Sequence, residues 1–149
     1  MPRVRAYFGA VTRVIAPLLV AAQNGHADVA EWLLAAPGVD VNLARDSGAT
    51  PLYVAAQNGH TDVVAQLTAA PGVDINRART DDGATPLFMA AQNGHLHVVE
   101  RLLATQGIYV NRARWNGTNG TTLLVVALAH GHADVVEVLR AAGATEAPG

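Results

Sequence analysis

The sequence predicts an all-α solenoid of stacked helix-turn-helix units with projecting β-hairpin-like fingers. Three observations predict it. The string Ala21-Ala22-Gln23-Asn24-Gly25-His26 returns as Ala55 to His60 and Ala90 to His95, and more weakly as Ala127 to His132. The glycines of these copies, Gly25, Gly59, Gly94 and Gly131, are 34, 35 and 37 residues apart, a period that marks stacked repeats. Half of the residues are apolar, but only seven are aromatic. Alanine, valine and leucine dominate, which suits thin helix-on-helix layers better than one large core.

The elements follow in order. Residues 1–15 place Val4, Phe8, Val11 and Ile15 at helical spacing, with Pro17 set to end such a helix. A packed capping segment is favoured there over an irregular tail. A targeting peptide is the further alternative, since Arg3, Arg5 and Arg13 precede the first acid, Asp28. Residues 16–145 form the repeat domain, divided roughly into 16–43, 44–77, 78–112 and 113–145, with a short tail at 146–149.

Within a repeat, Thr50 or Thr85 can cap a helix whose first position is the following proline. That inner helix should run about nine residues, to a left-handed stop at Gly59 or Gly94. A second, outer helix follows. Asp28, Asp62 and Asp134 lie in its first turn, at the positive end of the helix dipole. Val63, Val64 and Leu67, like Val98, Val99 and Leu102, mark its buried stripe. Pro37-Gly38 or Pro71-Gly72 then breaks it, and an extended stretch leads to a finger rich in Asp, Ser and Gly. Helices this short are marginal alone, since isolated ones need roughly 12–15 residues. Stacked neighbours supply the missing burial.

These residues make the chain resemble the ankyrin-repeat family. The shared pattern is G-x-T-P-L-x-x-A-A-x-x-G-H followed by paired valines and leucines, kept best by the second and third repeats. It covers roughly residues 16–145. The departures are specific. The family's histidine after Thr-Pro-Leu is replaced by Leu19, Tyr53, Phe88 and Val125, removing its polar bracing at the helix start. Ala16 replaces the first threonine, Thr122-Leu123 replaces Thr-Pro, Leu128 replaces an alanine and Thr68 an apolar residue. The end repeats therefore read as degenerate caps or as the edges of a longer array.

The resemblance implies a non-catalytic module that binds a protein partner through its concave face, made of finger tips and inner helices. Carried over by position, the partner-binding residues are Arg45 and Asp46, then Arg79 and Asp81, then Arg114, Trp115 and Asn116 at the fingers. Gln57 and Gln92 join them from the inner helices, flanked by Val54 and Met89. Two features go beyond the pattern. Arginines 45, 77, 79, 112 and 114, five of the ten, fall in the fingers, predicting a positive edge for an acidic partner surface. The plainer reading pairs them with Asp46, Asp81 and Asp82, at ~0–1 kcal/mol per exposed pair. The last finger is longer and carries Trp115, a residue type prominent in interface hot spots. Its alternative role is to fold back over the last inner helix. Trp32, on an outer helix, is expected to be partly buried.

Other classes find little support. The net charge of −2 supplies no global field towards nucleic acid or membrane, and all ten cations are arginine. Polyanion or nucleic-acid binding through the finger arginines, and a structural spacer or fragment of a longer array, are the alternatives. There is no cysteine, so disulfides and thiolate chemistry are excluded. No apolar run approaches the ~18 residues of a membrane span. His26, His60 and His95 belong to the periodic Gly-His corner, which argues for a structural role. The pairs His95/His97 and His130/His132 are poor chelators if helical, because side chains at i and i+2 diverge. Gly117 to Thr122 is glycine-rich but lacks the lysine of a phosphate loop, and the sequons at Asn116 and Asn119 have no secretory signal beside them. No enzyme, cofactor or metal is expected. A monomer is expected, although exposed end repeats leave self-association open. The compartment is not determined, with the cytoplasm favoured.

Overall fold

The computed structural model describes residues 16–115 and 120–147. The segment 1–15, expected to cap the array, and residues 116–119, with Asn116, Gly117 and the asparagines of both sequons, lie outside the described residues. Eight helices are described. The inner row is α1 (Pro17–Asn24), α3 (Pro51–Gln57), α5 (Pro86–Gln92) and α7 (Leu123–Ala129). The outer row is α2 (Ala27–Leu34), α4 (Thr61–Ala69), α6 (Leu96–Leu103) and α8 (Ala133–Ala141). Each helix packs on its hairpin partner and on the next helix of its own row, so the core is a continuous layer between two rows. No described helix is long and apolar enough to cross a membrane.

The inner helices start as expected. The Oγ1 of Thr50, Thr85 and Thr122 accepts from the backbone N–H of Tyr53, Phe88 and Val125 at 3.2, 3.1 and 3.3 Å. All three threonines are buried, and at Tyr53 and Phe88, themselves buried, the cap satisfies a donor that water cannot reach. Helices α3 and α5 are seven residues long, shorter than the nine anticipated. Asn58 and Asn93 already leave the helical region, one residue ahead of the glycine. Paired alanines explain the tight inner row: Ala55, Ala56, Ala90 and Ala91 have no exposed surface. On the outer row Val63, Val64, Leu67, Val98, Val99 and Leu102 are buried as the stripe predicted. Thr68, out of pattern there, satisfies its hydroxyl within its own helix by donating to the carbonyls of Val64 and Ala65.

Two ladders close the joints between repeats. At the corner, the Nε2 of His60, His95 and His132 donates to the carbonyl of Gln23, Gln57 and Gln92 in the preceding repeat, at 2.9 Å each. The ring then lies flat against the preceding glycine. A Cβ on Gly25, Gly59 or Gly94 would come 2.5–2.7 Å from the histidine Nδ1, and these glycines also hold φ near +70°. The Gly-His pair is thus one interlock shared by two repeats. His60 and His95 are structural, as their recurrence implied, and His132 joins them, whereas His26 is exposed and makes no such bond among the described residues.

At the other end of each repeat, an asparagine ties neighbouring loops together. Asn42 donates to the Gly72 carbonyl (2.8 Å) and accepts from Asp74 N–H (2.8 Å). Asn76 does the same with Gly107 and Tyr109, and Asn111 with Gly143 and Thr145. Each asparagine satisfies one carbonyl and one amide of a loop that has no regular partner.

His130 and His132 depart from expectation. They flank Gly131 instead of sharing a helix, so their rings do not diverge but stack with centroids 6.2 Å apart. Each ring commits one nitrogen to a carbonyl, His130 to Val126 and His132 to Gln92.

Candidate functional site

The fingers project beside the starts of the inner helices. In the first, Gly48 N–H donates to Arg45 O and Arg45 N–H to Ala49 O, closing a tight turn over Asp46 and Ser47. In the second, Arg79 N–H donates to Ala84 O, and the Asp82 carboxylate accepts from Ala84 N–H. The two turns are joined, because both the amide and the hydroxyl of Thr80 donate to Ser47 O at 3.0 Å. The last finger is a true hairpin: β1 (Arg114–Trp115) pairs antiparallel with β2 (Gly120–Thr121).

Two of the finger arginines, Arg79 and Arg114, are anchored by acids and aromatic rings. Arg79 pairs with Asp81 and lies 3.9 Å from Asp82, while Arg114 pairs with Asp82 at 2.7 Å. Asp82 therefore sits between the two cations. Arg79 also lies over the Tyr53 ring at 5.6 Å and donates to its hydroxyl, and Arg114 lies over the Phe88 ring at 5.5 Å. Here the bracing said to be lost with the family histidine is restored by another route. The aromatic ring that replaced it receives an arginine from the following finger, a cation–π contact worth about 0.5–2 kcal/mol. Arg45 behaves differently. It does not pair with Asp46 but donates to the Gln23 side chain, Leu19 offering no aromatic face.

Protonation states follow. The hydrogen bond from Arg79 holds the Asp81 carboxyl below the usual carboxylate range. Burial raises the Tyr53 phenol, with Arg79 opposing it, and Asp81 and Tyr53 together keep Arg79 charged.

Of the residues singled out in the sequence, Arg45, Asp46 and Asp81 are exposed at the finger turns and Arg79 and Arg114 are half-buried. Trp115 is 62% exposed. Gln57 and Gln92 are half-buried, and the Gln92 Oε1 and Arg114 Nε are both buried without a partner among the described residues. Val54 and Met89, expected to flank the exposed inner-helix positions, are instead buried. Trp32, expected to be partly buried, is 75% exposed, because it occupies the face that Gln66 turns towards repeat 1. Asp82, anticipated only as one of three possible partners for the finger arginines, is shared by Arg79 and Arg114, and sequence reasoning missed the joint-forming Asn42, Asn76 and Asn111. The asparagines carried a readable signal, since each stands at the same place in its repeat. Among the described residues no group of three or more His, Cys, Asp or Glu side chains converges as metal ligands would.

Comparison with known proteins completes the assignment. No curated protein matches the chain. The family model described as ankyrin repeats (3 copies) matches residues 12–79 and 66–146. Such repeats are generally protein–protein interaction modules and typically non-catalytic. With the interlocked helix pairs, the capped Thr-Pro-Leu starts and this match over most of its length, the chain belongs to the ankyrin-repeat family.

Proposed function

We propose that the chain binds a protein partner through its concave face, with Trp115 as the apolar anchor and Asp46, Asp81 and Arg45 as its polar surround. The supporting observation is the exposure of Trp115 on a hairpin whose neighbouring arginine is pinned. A large aromatic held on a braced strand offers contact area at little cost in conformational entropy. The charge pattern favours this reading over a polyanion. Arg79 and Arg114 are already matched by Asp81 and Asp82, which leaves Arg45, Arg77 and Arg112 as the finger cations without an acidic partner among the described residues and interrupts a continuous positive stripe. A partner with a mixed polar surface and an apolar pocket fits better than one that is simply acidic, and phosphate backbones fit poorly.

The test is affinity capture from source-cell lysate, followed by titration calorimetry with the recovered protein. Trp115→Ala should weaken binding by about tenfold or more, whereas Trp32→Ala, on an outer helix away from the fingers, should leave it unchanged. Equal binding by wild type and Trp115→Ala would remove the concave face from consideration. A steep fall of affinity with added salt would instead favour the polyanion reading.

A further inference from the structure

The residue that follows each joint-forming asparagine changes along the array. It is Leu43 in the first repeat, and Arg77 and Arg112 in the second and third. The residue two places before the asparagine changes too, from Asp40 and Asp74 to Tyr109. In the first two loops this aspartate closes a turn, its carboxylate accepting from the N–H of Asn42 at 3.0 Å and of Asn76 at 3.3 Å. Tyr109 brings no carboxylate to that place.

Stacking brings both departures together between the second and third repeats, around Asn76. Its Oδ1 accepts from Tyr109 N–H at 2.9 Å, and its backbone carbonyl accepts from Arg112 Nη1 at 3.2 Å. Arg77 is the next residue in the chain. Asp74, Asn76, Arg77, Ala78, Tyr109 and Arg112 line a hollow of about 410 Å³. Arg77, Tyr109 and Arg112 are exposed, and neither arginine has an acidic partner among the described residues. Arg112 commits one N–H to Asn76, which leaves most of its donors unused. With an aspartate at 109 the hollow would hold two acids and two cations. With tyrosine there it holds two guanidinium groups and one acid, already turned to the Asn76 amide. One positive charge is in excess.

We infer that this hollow binds a side-chain carboxylate of a protein partner, held by Arg77 and Arg112 beside the Tyr109 ring. One net positive charge calls for a monoanion. The planar guanidinium forks match the two oxygens of a carboxylate, and the ring offers an apolar wall to the methylene stem of an aspartate or glutamate. A phosphodiester is also a monoanion, but a nucleic acid is held by a run of cations, and here Asp74 stands beside the only two. Asp74 opposes the bound anion while Arg77 and Arg112 favour it, so neighbouring residues carry effects of opposite sign. The site goes beyond the concave-face reading: Trp115 lines no part of the hollow, and either can fail without the other.

The full chain, isotope-labelled for NMR, would be titrated at constant ionic strength with a capped peptide of neutral residues carrying one glutamate, and with its glutamine counterpart. The glutamate peptide should shift the Asn76 and Tyr109 amides and the Arg77 and Arg112 Nε signals, with a Kd on the order of 10 mM for this single contact. The glutamine peptide should bind about tenfold more weakly. Arg77→Gln and Arg112→Gln should each weaken the glutamate peptide about threefold, and the double variant about tenfold. Asp74→Asn keeps an oxygen for the Asn76 amide and should tighten binding about threefold. Equal binding of the two peptides, or no saturable shift with either, overturns the inference. So does a double arginine variant that keeps its fold and binds as wild type does. Dimethyl phosphate that binds more tightly than the glutamate peptide would give the hollow to a phosphodiester and overturn the carboxylate.

Discussion

Gly94-His95 and Gly131-His132 are the same dipeptide in the same turn, and their glycines share nearly the same backbone, at φ 71° and 73°. Yet a Cβ on Gly94 would lie 2.5 Å from the His132 ring, while one on Gly131 would meet open space. The local conformation is a property of the repeat; the interlock is a property of the joint. The comparison teaches that this molecule keeps its stability between repeats, where the histidine and asparagine ladders and the buried valines meet. A repeat alone has two short helices and few partners for them.

The largest expected effect contrasts a buried joint leucine with its counterpart at the edge. Leu102→Ala, at a fully buried position, should destabilise by about 3–5 kcal/mol, and Leu33→Ala, which is only half-buried, by about 1–2 kcal/mol. Urea unfolding followed by circular dichroism would measure both, and equal losses would mean that the stack does not set local stability.

The glycine comparison comes next. Gly131→Ala should cost about 1–2 kcal/mol, the strain of a left-handed alanine alone. Gly94→Ala adds the displacement of the His132 ring and should cost about 1 kcal/mol more, since a partly buried hydrogen bond is lost with it. Matching values would show that the histidine ring is not seated as described.

The smallest effect is electrostatic. The Asp81 carboxyl is held below its ordinary range by Arg79, so whatever the pair contributes is fully present above that range. It is lost as pH falls through the lowered value, below about 3.8, the ordinary aspartate pKa. Proton-detected titration of the carboxyl should show the lowered midpoint in wild type and its return to the ordinary range in Arg79→Ala. Asp81 is exposed, so the change in global stability should be slight.

Much of the fold was legible because it repeats. Thr50-Pro51 and Thr85-Pro86 announce capped starts, the glycines announce stops, and valine and leucine at helical spacing announce the buried stripe. The candidate surface was legible only in outline. Trp115 and the finger turns could be located, but Val54 and Met89 read as surface because a register within seven residues does not say which side is covered. Arg79 and Arg114 read as a positive edge because nothing in the string places Asp82 between them, or puts a guanidinium over the ring of the preceding repeat.

By itself, then, the sequence determined the period, the helix starts and stops, and the class of architecture. These depend on backbone preferences and on side chains within one turn of each other. Tertiary structure alone decided which arginines are neutralised, which valines and tryptophans remain uncovered, and why a glycine is required at three corners for contact but at the fourth only for its backbone. Those outcomes depend on groups 30 to 40 positions apart, as with Asn76 and Gly107 or Gln92 and His132. They meet only when one repeat is laid against the next.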